Sequence, residues 1–97
     1  MAYVVTAKWT SKEGEEEAVA EAVRNLLAPS RAEPGILFCQ PHRDPENPRV
    51  SFFYEQYSDP TAYEAHVASD HFKQWGFGDA IPRLEARERA FFETWDA

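Results

Sequence analysis

The feature that most restricts the fold of this chain is a set of predicted strands that carry apolar side chains on both faces. Residues 49–57 place Val50, Phe52 and Tyr54 on one face and Phe53 and Tyr57 on the other. Residues 36–39 and 86–95 repeat this pattern. When helices cover only one side of an antiparallel sheet, the open face is normally polar. An apolar open face would expose more apolar area than soluble monomers usually do. The pattern therefore predicts a homodimer in which a second copy covers this face with two-fold symmetry. The alternative is that single aromatic side chains lie on an exposed face.

Alternating polarity predicts the strands, and apolar residues in helical spacing from Ala18 to Leu27 predict an amphipathic helix. The predicted elements are, in order, a strand at 3–10, a helix from 15 to about Pro29, strands at 36–43 and 49–57, a helix from Pro60 to about Ala68, and a strand at 86–95. The predicted connections are a turn at 33–35, a proline-rich loop at 44–48, a helical turn from Ser69 to Trp75 that Gly76 and Gly78 break, and a turn at 79–84.

The order β-α-β-β-α-β is that of a ferredoxin-like α+β fold with a four-stranded antiparallel sheet. A length of 97 residues allows one domain, which we assign to residues 1–97. The sequence contains no repeat, linker or low-complexity segment that would indicate a second unit.

The charge of the chain excludes some classes of partner. It carries 17 acidic and 10 basic residues, for a formal net charge of −7, which disfavours binding to nucleic acid or to an anionic membrane. One cysteine, Cys39, cannot form an internal disulfide. The first ten residues do not resemble a signal peptide, and no apolar run approaches the ~20 residues of a membrane span. We therefore expect a cytoplasmic protein.

The second predicted helix carries the most informative polar residue, His66. Helical spacing places it on one stripe with Tyr63 and Val67, and this stripe must face the sheet. Burial favours the neutral imidazole, which acts as a base near neutral pH. The alternative interpretation is a core histidine that is hydrogen-bonded to a backbone carbonyl.

The spacing of the histidines does not favour a metal site. On a continuous helix His71 would be rotated by about 140° from His66, whereas shared coordination needs an i, i+4 pair. His42 lies on the second predicted strand, and no Cys or Glu stands at ligand spacing to the histidines. We therefore expect no metal. The chain also lacks glycine-rich phosphate loops, the G-x-S-x-G motif and C-x-x-C, so a nucleotide cofactor and a serine-hydrolase mechanism have no support.

Several aromatic residues form a candidate slot for a flat apolar ring. They are Trp75, Phe72, Phe77, Tyr54, Tyr63 and Trp9. The same residues are equally compatible with an ordinary core. Arg83, Arg87 and Arg89 approach or enter the last strand, where they either hold an anionic oxygen or pair with surface acids.

Four segments, in this order, carry a resemblance to a known family. They are Ser30-Arg31-Ala32-Glu33-Pro34-Gly35, Arg43-Asp44-Pro45, Phe53-Tyr54-Glu55-Gln56-Tyr57-Ser58-Asp59 and Ala65-His66-Val67-Ala68-Ser69-Asp70-His71-Phe72. With these segments the chain resembles the antibiotic biosynthesis monooxygenase family of dimeric α-β barrel proteins over nearly its whole length. The resemblance implies a ferredoxin-like protomer whose sheet meets that of a second copy to form a barrel.

The resemblance also implies a function. Members similar to quinol and anthrone oxygenases use no metal, flavin or haem, and oxidise a small phenolic or quinol-type aromatic compound with O2. His66 matches the helix histidine of the family and would be the base, while Trp75, Tyr54, Tyr63, Phe72 and His71 are candidates for binding the substrate. The haem-degrading branch carries an Asn, a Trp and a His where this chain reads Thr6-Ala7-Lys8, His66 and Gly76, which argues against haem.

Two alternatives to a cofactor-free monooxygenase remain open at this point. The first is an isomerase in which His66 and His71 act as acid and base, because another branch of the fold carries similar histidines. The second is a non-catalytic stress-response protein that only binds a small ligand in the same pocket. The fold does not decide between them.

Overall fold

The computed structural model describes residues 1–95, so the predicted domain, 1–97, includes two residues outside the described range. Its strands are Tyr3–Ser11 (β1), Ile36–Asp44 (β2), Asn47–Tyr57 (β3) and Leu84–Glu93 (β4). Its helices are Glu16–Arg31 (α1), Pro60–Val67 (α2), a π-helix at Phe72–Ala80 and a 3-10 turn at Ile81–Arg83. The strands form one antiparallel sheet in the order β2-β3-β1-β4, which confirms the ferredoxin-like α+β fold. No helix within residues 1–95 is long and apolar enough to cross a membrane.

The helices cover one face of the sheet. On β1, Val5 and Trp9 point towards the helices and are buried, as the alternation of the sequence predicts. Trp9 and Phe53 from the sheet, Val19 and Ala22 from α1 and Ala80 from the π-helix form the main core cluster. The core therefore lies between the middle strands, α1 and the π-helix.

The other face of the sheet is open and partly apolar. Phe38, Phe52 and Phe92 lie on it and keep 48%, 42% and 55% of their surface exposed. Pairing of Lys8 with Phe52 and of Val4 with Phe92 places these rings on one face. Trp95, which was predicted on the last strand, lies beyond it because β4 ends at Glu93.

Helix α1 extends past the predicted end at Pro29. Proline lacks an N–H but does not prevent later residues from bonding, and the N–H of Ala32 donates to the carbonyl of Ala28 at 3.1 Å. The last turn is also anchored to β2, because the guanidinium of Arg31 donates to the carbonyl of Cys39 at 2.8 and 3.1 Å. Tertiary contacts thus keep a helical turn that the proline alone would end.

The proline-rich loop predicted at 44–48 is a tight hairpin turn. Asp44 already pairs with Asn47, and the N–H of Glu46 donates to the carboxylate of Asp44 at 2.9 Å. Pro48 fits within β3 because it lies beyond Val50, the last residue that β3 pairs with β1. The strands are therefore longer than predicted.

The prediction that Gly76 and Gly78 break the helix after Ser69 is wrong. Both glycines lie inside the π-helix, whose wide turn brings other atoms close to them. A Cβ on Gly76 would lie 3.1 Å from the ring of Phe72, and one on Gly78 would lie 2.8 Å from the carbonyl of Lys73. The glycines therefore permit the wide turn and do not end it.

Candidate active site

The turn between α1 and β2 places Glu33 against α2. The N–H of Glu33 donates to the carbonyl of Ser30 at 3.1 Å, and the N–H of Ile36 donates to the carbonyl of Glu33 at 3.2 Å. A Cβ on Gly35 would lie 2.5 Å from the Cβ of Ala62 on α2, so only glycine permits this approach. The turn predicted at 33–35 is present, and it carries the carboxylate to the inner side of α2.

Helix α2 buries His66, as predicted. Asp59 caps the helix by accepting from the N–H of Ala62 at 2.8 Å, and His66 is only 5% exposed. Its Nδ1 lies 2.7 Å from Oε2 of Glu33. Because a carboxylate only accepts hydrogen bonds, Nδ1 carries the proton, and Nε2 of the neutral ring keeps a lone pair. No side chain or backbone group within residues 1–95 hydrogen-bonds to Nε2.

His71 binds the same carboxylate oxygen as His66. Its Nε2 lies 2.7 Å from Oε2 of Glu33, and the two imidazole centroids are 6.0 Å apart. The rotation of about 140° expected on a continuous helix does not apply, because α2 ends at Val67 and the chain bends before the π-helix. Glu33 was not predicted as a site residue, although it stands inside one of the matched segments and within the predicted turn.

The three donor atoms of Glu33, His66 and His71 lie within 4.8 Å of one another. Two imidazoles and one carboxylate are ligands that zinc or ferrous iron accept. The separations of 2.7 Å are nevertheless those of charge-assisted hydrogen bonds. Neighbouring ligands on such an ion are roughly 3 Å apart, so an ion would have to displace both protons and move the oxygen away from the rings.

A partly open cavity lies between the helices and the covered face of the sheet. Its volume is about 50 Å³, and its mouth opens to solvent. Of the residues predicted for the site, His66, Tyr63 and Phe72 line it, and so does Trp9. The imidazole of His66 has ring neighbours at centroid distances of 5.0 Å to Phe72 and 5.8 Å to Tyr57. The buried histidine thus lies among aromatic rings at a cavity wall.

Three predicted substrate-binding residues lie elsewhere. Tyr54 lies on the open face of the sheet, where its hydroxyl accepts from the amide of Gln56 at 2.8 Å and its ring lies 5.9 Å from that of Phe38. Strand alternation causes this, because the neighbours Phe53 and Glu55 point to the helices. Neither Trp75, on the π-helix, nor His71, behind Glu33, is among the described residues that line the cavity.

One acid, Glu55, is among the described residues that line the cavity. The hydroxyl of Tyr57 donates to its carboxylate at 2.8 Å. Burial raises the pKa of Glu55, and the hydrogen bond from Tyr57 offsets part of this rise. Burial, followed by the charge of Glu55, raises the pKa of the Cys39 thiol to about 11. The sequence contained a signal for Glu55, since an acid alternates there with the inward residues Phe53 and Tyr57.

The arginines near β4 divide into two groups. Arg83 pairs with Glu15 and Asp79 at 2.7 and 2.9 Å, as expected for a surface arginine. Arg87 and Arg89 line the cavity, and within the described part of the chain neither forms an ion pair with an acid. Arg89 donates to the hydroxyl of Tyr63 at 3.0 Å. The cavity therefore has a cationic wall at β4.

One comparison with known proteins identifies a family. The family model described as antibiotic biosynthesis monooxygenase matches residues 2–76. No curated protein is significantly similar to the chain in sequence.

Solved structures share the fold over nearly the full chain. PA3566 from Pseudomonas aeruginosa has a TM-score of 0.89 and 29% identity, and the match covers 97% of this chain and 94% of that protein. SO0527 from Shewanella oneidensis has a TM-score of 0.85 and 27% identity, with 94% and 88% covered. A protein described as an antibiotic biosynthesis monooxygenase has a TM-score of 0.89 at 21% identity, with 96% and 98% covered, which shows a shared fold.

Proposed function

The chain belongs to the antibiotic biosynthesis monooxygenase family, and from this premise we propose that it is a cofactor-free monooxygenase that oxidises a small phenolic or quinol-type aromatic compound with O2. The observation that carries the proposal is the hydrogen bond of 2.7 Å between Glu33 and Nδ1 of His66. This bond orients a buried imidazole at the wall of a cavity and leaves its Nε2 available as a base.

The reaction requires little from the protein besides a base and a dry site. His66 Nε2 takes the proton of an acidic hydroxyl, and the electron-rich anion transfers an electron to O2. The resulting radical pair combines to a peroxide, which loses water to leave a hydroxyquinone. With naphthalene-1,4-diol the balance is one diol and one O2 to one hydroxynaphthoquinone and one water. Burial among Phe72, Tyr57 and Tyr63 keeps water from the anion.

The carboxylate of Glu33 assists the base in two ways. It holds the ring of His66 in one tautomer, and its charge stabilises the imidazolium that forms when Nε2 takes a proton. His71 donates to the same oxygen and so restrains the carboxylate from the other side. Glu33 and His71 are therefore positioning residues, and His66 is the proposed catalytic residue.

The direct test is oxygen consumption with naphthalene-1,4-diol, corrected for its autoxidation. We expect His66→Ala to lower kcat/KM at least about tenfold, because removal of a positioned base costs that much or more. Glu64→Ala changes an exposed acid two residues away and serves as the matched control. Unchanged turnover in a folded His66→Ala variant would remove His66 from the mechanism, and no uptake above autoxidation by the unaltered protein would exclude this reaction.

A second candidate function is isomerisation by proton transfer. The observation that favours it is the pairing of His66 and His71 on one carboxylate, which links two acid/base groups through Glu33. Such a reaction needs no oxygen, so turnover of a candidate substrate under anaerobic conditions separates the two functions. Stabilisation of the protein by a ligand without any product would instead favour a binding protein.

We also propose that the working form is a homodimer joined through the open faces of the two sheets. Phe38, Phe52 and Phe92 are each more than 40% exposed on that face in the single chain. Sedimentation is expected to give twice the chain mass of 11.1 kDa. Phe52→Glu would place like charges across a two-fold axis and is expected to give monomers. A folded monomer at all concentrations for the unaltered protein would contradict the dimer.

A further inference from the structure

We infer that the cavity wall formed by Trp9, Arg87 and Arg89 binds a carboxylate carried by the aromatic ligand. The inference concerns the cavity of the proposed function and defines the class of its substrate as an aromatic carboxylate. This inference concerns the wall at β1 and β4, whereas His66 lies on α2, and a binding measurement without turnover tests it.

Two buried donors on this wall have no protein partner. Within residues 1–95, Nε1 of Trp9 and Nε of Arg87 are buried and donate no hydrogen bond to the protein. The indole of Trp9 is 5% exposed, so it cannot turn to bulk solvent. A buried donor without an acceptor destabilises the fold. An acceptor oxygen of a ligand in the cavity would therefore provide the hydrogen bonds that these two N–H groups do not form within the protein.

The charge on this wall is also unbalanced. The chain carries 17 acids against 10 basic residues, yet within the described range neither Arg87 nor Arg89 has an acidic partner. Arg83, four residues before Arg87, has two. Burial, together with the neighbouring charge of Arg89, lowers the pKa of Arg87. An anion between the two guanidinium groups would offset both the cost of burying Arg87 and its repulsion from Arg89.

Sheet register places the two cations side by side on the covered face. Arg87 pairs with Trp9, and Arg89 pairs with Ala7, so both side chains leave β4 towards the helices. Aromatic rings orient them without neutralising them, since Arg87 lies 5.9 Å from the centroid of Phe77 and Arg89 lies 5.8 Å from that of Phe91. Two planar donors and an indole N–H suit the two oxygens of a carboxylate.

The acids of the cavity lie on the other side and do not compete for this wall. Glu55 lies on β3, two strand spacings from β4 and roughly 10 Å away across the sheet. Its carboxylate is bound by Tyr57, and Glu33 is bound by two histidines. Between the two sides the floor is apolar, with Val5 and Ala7 of β1. A ligand is thus oriented with its carboxylate at β4 and its ring towards His66.

The test is calorimetric titration with 2-naphthoate and with its neutral analogue 2-naphthamide, which match in ring and size. We expect the unaltered protein to bind the carboxylate at least about tenfold more tightly, because two guanidinium groups would donate charge-assisted hydrogen bonds to it. Arg87→Gln and Arg89→Gln should each reduce this preference to about threefold or less. Arg24→Gln, an exposed arginine on α1 that pairs with Glu21, should leave it unchanged.

Equal affinity of the unaltered protein for the two probes would overturn the inference, and so would a preference that survives both arginine substitutions. 2-Naphthyl phosphate is the third probe, because a phosphate presents similar oxygens; tighter binding of this probe than of 2-naphthoate would also overturn the carboxylate assignment. Carboxylate preference without oxygen consumption would uphold this site and contradict the proposed function, whereas oxygen consumption with equal affinities would do the reverse.

Discussion

Replacement of Glu33 by alanine tests the hydrogen-bonded trio most directly. The change removes one oxygen that accepts from both His66 and His71 at 2.7 Å. The two side chains are 6% and 20% exposed, so His71 can turn to water, whereas His66 keeps a buried N–H without an acceptor. Loss of that bond and of the packing of Glu33 is expected to cost roughly 2–4 kcal/mol. For a domain of this length, this corresponds to a decrease in Tm of roughly 8–20 °C.

Thermal unfolding followed by circular dichroism measures this decrease. Glu64→Ala removes an exposed acid from α2 and should change stability by less than about 0.5 kcal/mol. Glu33→Gln keeps an acceptor oxygen but loses the charge, so its Tm should lie between those of Glu33→Ala and Glu64→Ala. Long-range nitrogen NMR of the neutral His66 ring should find the proton on Nδ1 in the unaltered protein and in Glu64→Ala, but not in Glu33→Ala. Equal melting of Glu33→Ala and Glu64→Ala, with an unchanged tautomer, would refute the role given to this carboxylate.

Two further predictions concern residues around the trio. The folded-state pKa of Glu55 is raised above its ordinary value of 4.5, so the folded chain binds more protons than the unfolded chain above that pH, and stability falls as pH rises. Glu55→Gln should therefore gain Tm over the unaltered protein as pH is raised from about 4 to about 8, and a constant difference would contradict this. Gly35→Ala introduces a Cβ 2.5 Å from that of Ala62 and should cost about 1–3 kcal/mol in urea unfolding. Ala62→Gly should restore part of this loss in the double variant, and strictly additive effects would show that the two residues do not meet.

The fold was predictable from the sequence because its signals are local. Alternating polarity identified β1, and Asp59 with Pro60 identified the start of α2. The errors occurred where tertiary contacts override a local signal. Arg31 keeps α1 helical beyond Pro29 by binding the carbonyl of Cys39. Gly76 lies inside the π-helix, where the ring of Phe72 packs so close that a Cβ would be only 3.1 Å from it.

The candidate site was predictable only in part. Helical periodicity correctly predicted that His66 is buried, because this prediction requires only that one face of α2 packs against the sheet. The meeting of His71 with Glu33 depends on a bend after Val67 and on a turn more than thirty residues earlier, and no spacing rule describes it. Tyr54 shows a different kind of error, because its strand parity already placed it opposite Phe53. The strand pattern therefore already argued against a place for Tyr54 beside Phe53 in the pocket.

The separation of charges inside the cavity limits which ligands can react. Arg87 and Arg89 stand on β4, whereas Glu55 stands on β3, roughly 10 Å away across the sheet, and the residues of β1 between them, Val5 and Ala7, are apolar. The imidazole of His66 packs near Tyr57 of β3. If the opposite charges were adjacent, they would pair with each other and leave no site for an anion. At the inferred anion site a small anion would bind without presenting a hydroxyl to His66. Under the proposed function, a ligand long enough to hold its anionic group at the arginines and an acidic hydroxyl at the imidazole should therefore react faster than naphthalene-1,4-diol, which has no anionic group.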